Sequence, residues 1–321
     1  MAGRVRRWIW IAIVVVIGVA AFALLGDVRQ LTARLDGFRW PAFAAALVLA
    51  GANYAIRFLR WQLYLRHQRV RVPWRSSALV FGAGLSLALT PGKLGELVKS
   101  YLLRELHDVP ATRTAPIVVA ERVSDLIALL LLAVAGVALY GIGATIVLVA
   151  AALIVLGLVL LAWPRPTRAL IDLVTRPARL QRFRAPLQEM YGGLVALCRP
   201  SALAGATALA LPAWACECVG FSVIVNAFPG AHVGIGLAMV IYAATTIAGA
   251  LSFLPGGLGV TEGTMTMLLV RGAVGLDAAA ALDATLLTRL ATLWFAVALG
   301  LVCLVIARRR ASARRRAAPD A

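Results

Sequence analysis

The chain has 321 residues, 62% of them hydrophobic and only 14% charged, which excludes an ordinary soluble globular domain. A formal charge of +18 would point to nucleic acid in a soluble protein. In a membrane protein it instead marks the side on which Lys and Arg collect. Apolar runs of about 18 residues or more, each a candidate transmembrane helix, recur along the sequence. The composition describes an all-α polytopic membrane protein.

Arg4, Arg6 and Arg7 precede the first apolar run, Trp8–Leu25. With Ala21-Phe22-Ala23 near its end, this run resembles a signal peptide. Because the remainder is itself membrane-embedded, an uncleaved first span is expected. Five further runs are long enough to cross: Phe38–Leu59, Ala115–Leu139, Ile142–Trp163, Ser201–Phe228 and Ala278–Ala307. The four cysteines (Cys198, Cys216, Cys218, Cys303) lie in or beside apolar segments and read as buried thiols.

Two stretches repeat one another. Leu87–Leu103 and Leu251–Leu269 both carry Pro-Gly-x-Leu-Gly after an apolar run, with a Glu-bearing stretch beyond. Pro91, Gly92, Leu94 and Gly95 align with Pro255, Gly256, Leu258 and Gly259. Proline ends the incoming helix by removing a backbone donor, and Gly92, Gly95, Gly256, Gly257 and Gly259 supply a tight turn. The flanking pieces, Ser76–Thr90 with Leu94–Leu106 and Gly234–Leu254 with Gly263–Gly272, are mostly too short to span about 30 Å of hydrocarbon.

Charge then sets the topology. Six arginines lie in Arg57–Arg75, seven in Arg165–Arg199 and six in Arg308–Arg316. These regions and the N-terminus are expected on the cytoplasmic side. Connections 140–145 and 229–233 contain no Lys or Arg. Parity makes the two Pro-Gly elements re-entrant hairpins that enter from opposite faces. The expectation is six spans plus two hairpins, eight membrane segments, in an inverted repeat. One transmembrane domain would cover 1–307, with repeats around 76–163 and 201–307 and a basic linker at 164–200. A basic cytoplasmic tail, expected to be disordered, would follow at 308–321. The Arg-rich, Leu-bearing linker suits either a helix on an anionic leaflet or a solvated loop.

Ionisable groups inside spans cost roughly 2.5–3.5 kcal/mol each, so each needs a reason. Lys93, Glu96, Lys99 and Tyr101 follow the first Pro-Gly, and Glu121, Arg122 and Asp125 open the third span. Glu217 is mid-span, Glu262 follows the second Pro-Gly and Arg289 lies in the last span. Either they form an ion-pair network holding helices together, or they line a cavity for a polar headgroup. Two helix N-termini at the hairpin tips would favour phosphate or carboxylate. Arg57, Arg60 and Trp61 share helical spacing with Asn53 and Tyr64, and read as interfacial lipid contacts or as an aromatic and basic belt. His67, His107 and His232 form no metal pattern. No nucleotide cradle or acyl-transfer nucleophile is visible, so no catalytic residue, metal or cofactor is expected.

Taken in order, Arg57-x-x-Arg60-Trp61-x-x-Tyr64-Leu65, Thr90-Pro91-Gly92-Lys93-Leu94-Gly95-Glu96, Glu121-Arg122-x-x-Asp125, Leu254-Pro255-Gly256-Gly257-Leu258-Gly259 with Glu262, then Arg289 and Trp294, resemble one family. It is the lysylphosphatidylglycerol synthase transmembrane-region family, also called uncharacterised family 0104. The resemblance runs over nearly the whole chain. It implies a flippase-like membrane domain that translocates an anionic phospholipid or a lipid-linked headgroup. In two-domain relatives a separate cytoplasmic domain makes the aminoacylated lipid; that domain is not expected here, nor is lysyl transfer. The other readings are a membrane-embedded aminoacyl or glycosyl transferase, or a non-catalytic subunit of an envelope lipid complex. Expected partners are a membrane phospholipid or lipid-linked sugar and a soluble synthetase or glycosyltransferase, not nucleic acid. The expected place is the inner membrane, with both termini cytoplasmic.

Overall fold

In the computed structural model, the residues described are 37–90, 95–140, 148, 152, 164–177 and 179–317. The expected spans Trp8–Leu25 and, almost wholly, Ile142–Trp163 lie outside them, as do Pro91, Gly92, Lys93 and Leu94. Among the described residues the chain is built of helices, and no strand is assigned.

The first half runs through α1 (Trp40–His67), α2 (Trp74–Leu85), α3 (Val98–His107) and α4 (Ala111–Tyr140). A surface pair follows, α5 (Pro164–Val174) and α6 (Arg184–Leu197). The second half runs through α7 (Pro200–Val225), α8 (Ile235–Leu251), α9 (Val260–Gly272) and α10 (Ala278–Arg289). A π-helical turn at Leu290–Trp294 leads into α11 (Phe295–Ala317). Among the described residues, three helices are long and apolar enough to cross a bilayer: α1, α7 and the run Ala278–Arg314. The expected span Ala115–Leu139 lies within the 30-residue α4.

Local chemistry sets the boundaries. Proline occupies the first turn of α1 and of α7, where its missing N–H would have no helical partner. Asp277 caps α10 by accepting from the Ala280 amide at 2.7 Å. Asp108 closes α3 in the left-handed conformation, φ 56°. The helices around the Pro-Gly motifs are short. With 12 and 10 residues, α2 and α3 reach about 18 and 15 Å. The 13-residue α9 reaches about 20 Å and the 17-residue α8 about 26 Å. Beyond α2 the chain turns at 86–90 instead of continuing as helix to Thr90.

Among the described residues the two halves share an order: a long helix, a shorter helix, a short outgoing helix and another long helix. They also exchange partners. α1 packs along α7, α8 packs on α4, and α2 packs on α11. The short helix of each half is thus held by the last long helix of the other. Close approach enforces this: a Cβ at Gly136 of α4 would sit 2.6 Å from the Gly236 carbonyl oxygen of α8.

Large apolar side chains remain exposed, among them Val48, Leu139, Leu251, Phe253 and Val302. That exterior is what lipid solvates, and the backbone inside it is satisfied by helix. Inside there are two apolar cores. One joins the start of α1 and the far end of α4 to α7, α8, α9 and α10. The other joins the end of α1 and the start of α4 to α2, α3 and α11. Ile117 and Ala120 belong to the second, Ala128 and Leu129 to the first. Glu121, Arg122 and Asp125 fall between them.

Candidate functional site: a buried ionic cluster between two cores

Four helix positions on α1, one on α3 and a stripe on α4 assemble the cluster. On α1, Asn53, Arg57, Arg60 and Tyr64 recur at spacings of three and four, which places them on one helical face. On α4, Glu121, Ser124 and Asp125 form the matching stripe. Arg60 Nη1 donates to Asp125 Oδ1 at 2.6 Å and to Ser124 Oγ at 3.2 Å. Tyr64 Oη donates to the Ala120 carbonyl at 3.0 Å. From α7, the Trp214 indole N–H donates to Asp125 Oδ1 at 2.9 Å.

Lys99 of α3 enters from the other side. Its ammonium lies 2.6 Å from Glu121 Oε2 and 3.2 Å from Glu96 Oε2. It also lies 4.7 Å from the centre of the Trp61 ring and 5.6 Å from that of Phe81. Gly84 makes room for its stem, since a Cβ there would fall 2.6 Å from Lys99 Cγ. Arg122 bridges Glu96 and Asp125, each at 3.3 Å. Arg57 completes the set at 4.0 Å from Asp125, with its guanidinium 5.9 Å from the Trp214 ring centre.

Two features decide what this cluster can do. First, these ion pairs join four cations, Arg57, Arg60, Lys99 and Arg122, to three carboxylates, Glu96, Glu121 and Asp125. Second, the buried donors Arg57 Nε, Arg60 Nε, Arg60 Nη2 and Arg122 Nε, and the buried acceptors Glu121 Oε1 and Asp125 Oδ2, have no hydrogen-bond partner among the described residues. An unpartnered buried donor costs the full desolvation of that group, about 1–3 kcal/mol and more for a charge. A phosphate or carboxylate oxygen is the kind of acceptor that satisfies an arginine N–H. Arg122 is the opening, because its side chain is 24% exposed while those of Arg60, Lys99 and Glu121 are at most 2% exposed.

The second Pro-Gly element carries a smaller constellation. Pro255–Gly257 forms a 3-10 turn in which Gly256 and Gly257 take φ of +62° and +66°. Only glycine adopts this region at low cost. Glu262, on the first turn of α9, accepts from the Gly259 amide at 2.6 Å. Arg289 reaches across from α10, donating from Nε to Glu262 Oε1 and from Nη2 to the Gly256 carbonyl, both at 2.6 Å. The two Pro-Gly regions meet: a Cβ at Gly256 would fall 2.5 Å from a Leu89 methyl. Glu217 of α7 is buried within electrostatic reach of Arg57 and takes a hydrogen bond from Tyr242 Oη of α8.

Of the candidates read from sequence, Glu96, Lys99, Glu121, Arg122 and Asp125 come together, and Glu262 pairs with Arg289. Tyr101 does not join them; it is 54% exposed on α3. Lys93, Pro91 and Gly92 lie outside the described residues. Arg57, Arg60 and Trp61 were expected at the membrane interface and are placed differently. Arg60 and Trp61 are fully buried and Arg57 nearly so, because Asp125 and Glu121 draw α1 against α4 and α3. Trp214 and Ser124 were missed. Trp214 stands three residues before Glu217 in an otherwise apolar helix, and a lone indole at that depth, needing an acceptor, was the available signal.

Two comparisons agree on the kind of protein. The family model described as "Lysylphosphatidylglycerol synthase TM region" matches residues 9–300. A protein of Methanothermobacter thermautotrophicus described as "UPF0104 membrane protein" is 25% identical over 325 residues, covering 91% of this chain and 94% of that protein.

Proposed function

The chain belongs to the lysylphosphatidylglycerol synthase TM region family, and we propose that it binds an anionic lipid headgroup and moves it between leaflets. The observation that carries this reading is the buried cluster with surplus donors, open at Arg122 and set in a bundle with an apolar exterior. The four unpartnered N–H groups of Arg57, Arg60 and Arg122 outnumber the two unpartnered oxygens of Glu121 and Asp125, and arginine N–H groups suit a phosphate. Transport, not chemistry, is the activity proposed; the chain would act without a cofactor of its own.

In this reading the basic segments lie on the cytoplasmic side of the inner membrane. The two Pro-Gly elements are re-entrant and enter from opposite faces, and the two halves form an inverted repeat. The short lengths of α2, α3 and α9 and the exchange of partners between halves support it. So does the meeting of Gly256 with Leu89, the arrangement by which broken helices build a site near the midplane. Glu96–Arg122 and Glu262–Arg289 then brace the two elements, and the headgroup passes between them.

The test is translocation in proteoliposomes, with headgroup-labelled phosphatidylglycerol, aminoacyl-phosphatidylglycerol and a polyprenyl-phosphate sugar in parallel. Movement of one above protein-free vesicles is expected; movement of none would refute the proposal. Side-specific labelling tests the topology. In a background without native cysteines, Leu97→Cys and Leu254→Cys should react with an impermeant reagent from opposite faces. Reaction from the same face would remove the inversion.

A further inference from the structure

The surface pair α5–α6 is amphipathic in an unusual sense, since the apolar face is the one turned away from the protein. On α5, Leu170 is 59% exposed, Leu173 54% and Val174 51%. These three, with exposed Ala169, share one side of the helix at spacings of three and four. The polar side of α5 is spent on the protein. Asp172 accepts from Arg184 Nε of α6 at 2.8 Å and from Gln188 Nε2 at 3.2 Å. Thr175, just past the helix, is buried. Beyond α5, Leu180 and Phe183 are also exposed, 38% and 43%.

Charge surrounds this surface. Arg168, Arg176, Arg179, Arg182 and Arg184 are all exposed, and Arg182 lies over the Phe183 ring at 4.8 Å. An exposed apolar strip framed by arginines matches a leaflet of acyl chains beneath anionic phosphates. The helix is too short to span, at 11 residues or about 16 Å. α5 meets α6, and α6 packs along α4. Gln68 Nε2 donates to the Gly193 carbonyl at 3.1 Å, and a Cβ on Gly193 would touch Pro116 of α4. Pro116 is five residues before Glu121 on the same helix.

We propose that α5 lies flat in the bilayer surface, with Leu170, Leu173 and Val174 among the acyl chains and the linker arginines on anionic headgroups. The occupant of this face is the protein's own membrane. α5–α6 therefore forms a collar of anionic lipid beside the helix that carries the ionic cluster. The inference rests on the membrane placement of the chain and not on transport.

The test places an environment-sensitive fluorophore at Leu170→Cys, in the full chain with Cys198, Cys216, Cys218 and Cys303 replaced, in nanodiscs. Glu189→Cys, exposed on α6, is the reference. In nanodiscs containing phosphatidylglycerol, the Leu170 label should emit at shorter wavelength than the reference and be quenched by spin-labelled acyl chains. Both effects should weaken in phosphatidylcholine nanodiscs, or when Arg176, Arg179 and Arg182 are changed to Glu in a variant whose melting temperature is unchanged. Water-like emission in both lipids would overturn the proposal. So would a shifted emission that acyl-chain quenchers do not reach, which would mean that a second copy or another protein covers the face. Equal quenching in both lipids would overturn the anionic preference.

Discussion

Arg289 donates to the Glu262 carboxylate at 2.6 Å across 27 residues of sequence, tying the helix after the second Pro-Gly turn to the long helix that follows it. Arg122 and Glu96 make the corresponding link in the first half, at 3.3 Å across 26 residues. Each half therefore fastens the start of its outgoing segment to the helix that follows by one Glu–Arg pair. The order is the same, and the environments differ: Glu96 is buried, while the Glu262 and Arg289 side chains are 15% and 14% exposed.

The Glu262–Arg289 pair should behave as a unit. Glu262→Ala and Arg289→Ala should each destabilise the protein, and the double variant should cost less than their sum. A coupling of about 0.5–3 kcal/mol is expected for groups in direct contact. Thermal unfolding of the four proteins in detergent measures it, and simple additivity would show that the pair contributes nothing to holding the turn.

Lys99 should be the costliest single residue of the cluster to neutralise. Lys99→Met leaves Glu121 without its 2.6 Å partner in a side chain 1% exposed. Breaking such a pair from one side costs about 3–5 kcal/mol. Adding Glu121→Gln should recover most of the loss, because Glu96 keeps Arg122. Unfolding midpoints of the single and double variants check this, and no recovery would mean that Lys99 acts through packing on Trp61.

The second turn predicts a contrast between glycines. Gly256→Ala meets both a positive φ and the Leu89 methyl, so it should destabilise by more than about 1–2 kcal/mol, the cost of the left-handed region alone. Gly51 is mid-helix in α1 with open space around its would-be Cβ. Gly51→Ala should instead stabilise by about 0.5–1 kcal/mol. The same melting experiment reads both, and a harmless Gly256→Ala would contradict the close meeting of the two elements.

On the surface pair, the Arg184 hydrogen bond holds the Asp172 carboxyl below its usual range. A depressed pKa means that the α5–α6 clip is fully present above the unfolded carboxylate value of about 3.9 and is lost as pH falls through the lowered one. A spin label at Ala169→Cys should keep its mobility from about pH 8 to about pH 5 and loosen only below about pH 4. Loosening near neutrality would assign the clip to another group.

Much of this was legible in the sequence because the signals were local or periodic. Apolar length gave α1, α7 and the α10–α11 run. The Pro-Gly-x-Leu-Gly at 255–259 located the turn between α8 and α9, and rare charges named most of the cluster. What did not follow was which helices would meet. The spacing of Arg57, Arg60, Trp61 and Tyr64 suits an interfacial belt as well as a buried face. Asp125 and Glu121, over sixty residues away, decided between them. Trp214 and Tyr242 were invisible for the same reason: an indole and a phenol in apolar helices have no reason of their own until Asp125 and Glu217 are placed beside them.

The central claim is that the cluster holds a headgroup and does not merely hold helices. Arg57 separates the two. Its ion pair, at 4.0 Å, is the longest in the cluster, and Asp125 keeps Arg60 and Arg122 without it. Arg57→Gln should therefore leave the melting temperature near that of the natural protein, while removing surplus charge and an unspent donor. The decisive measurement is the translocation rate of headgroup-labelled lipid in proteoliposomes bearing Arg57→Gln. The account predicts a fall to the protein-free background at unchanged stability. A rate equal to that of the natural protein would contradict it and leave the cluster as a structural staple.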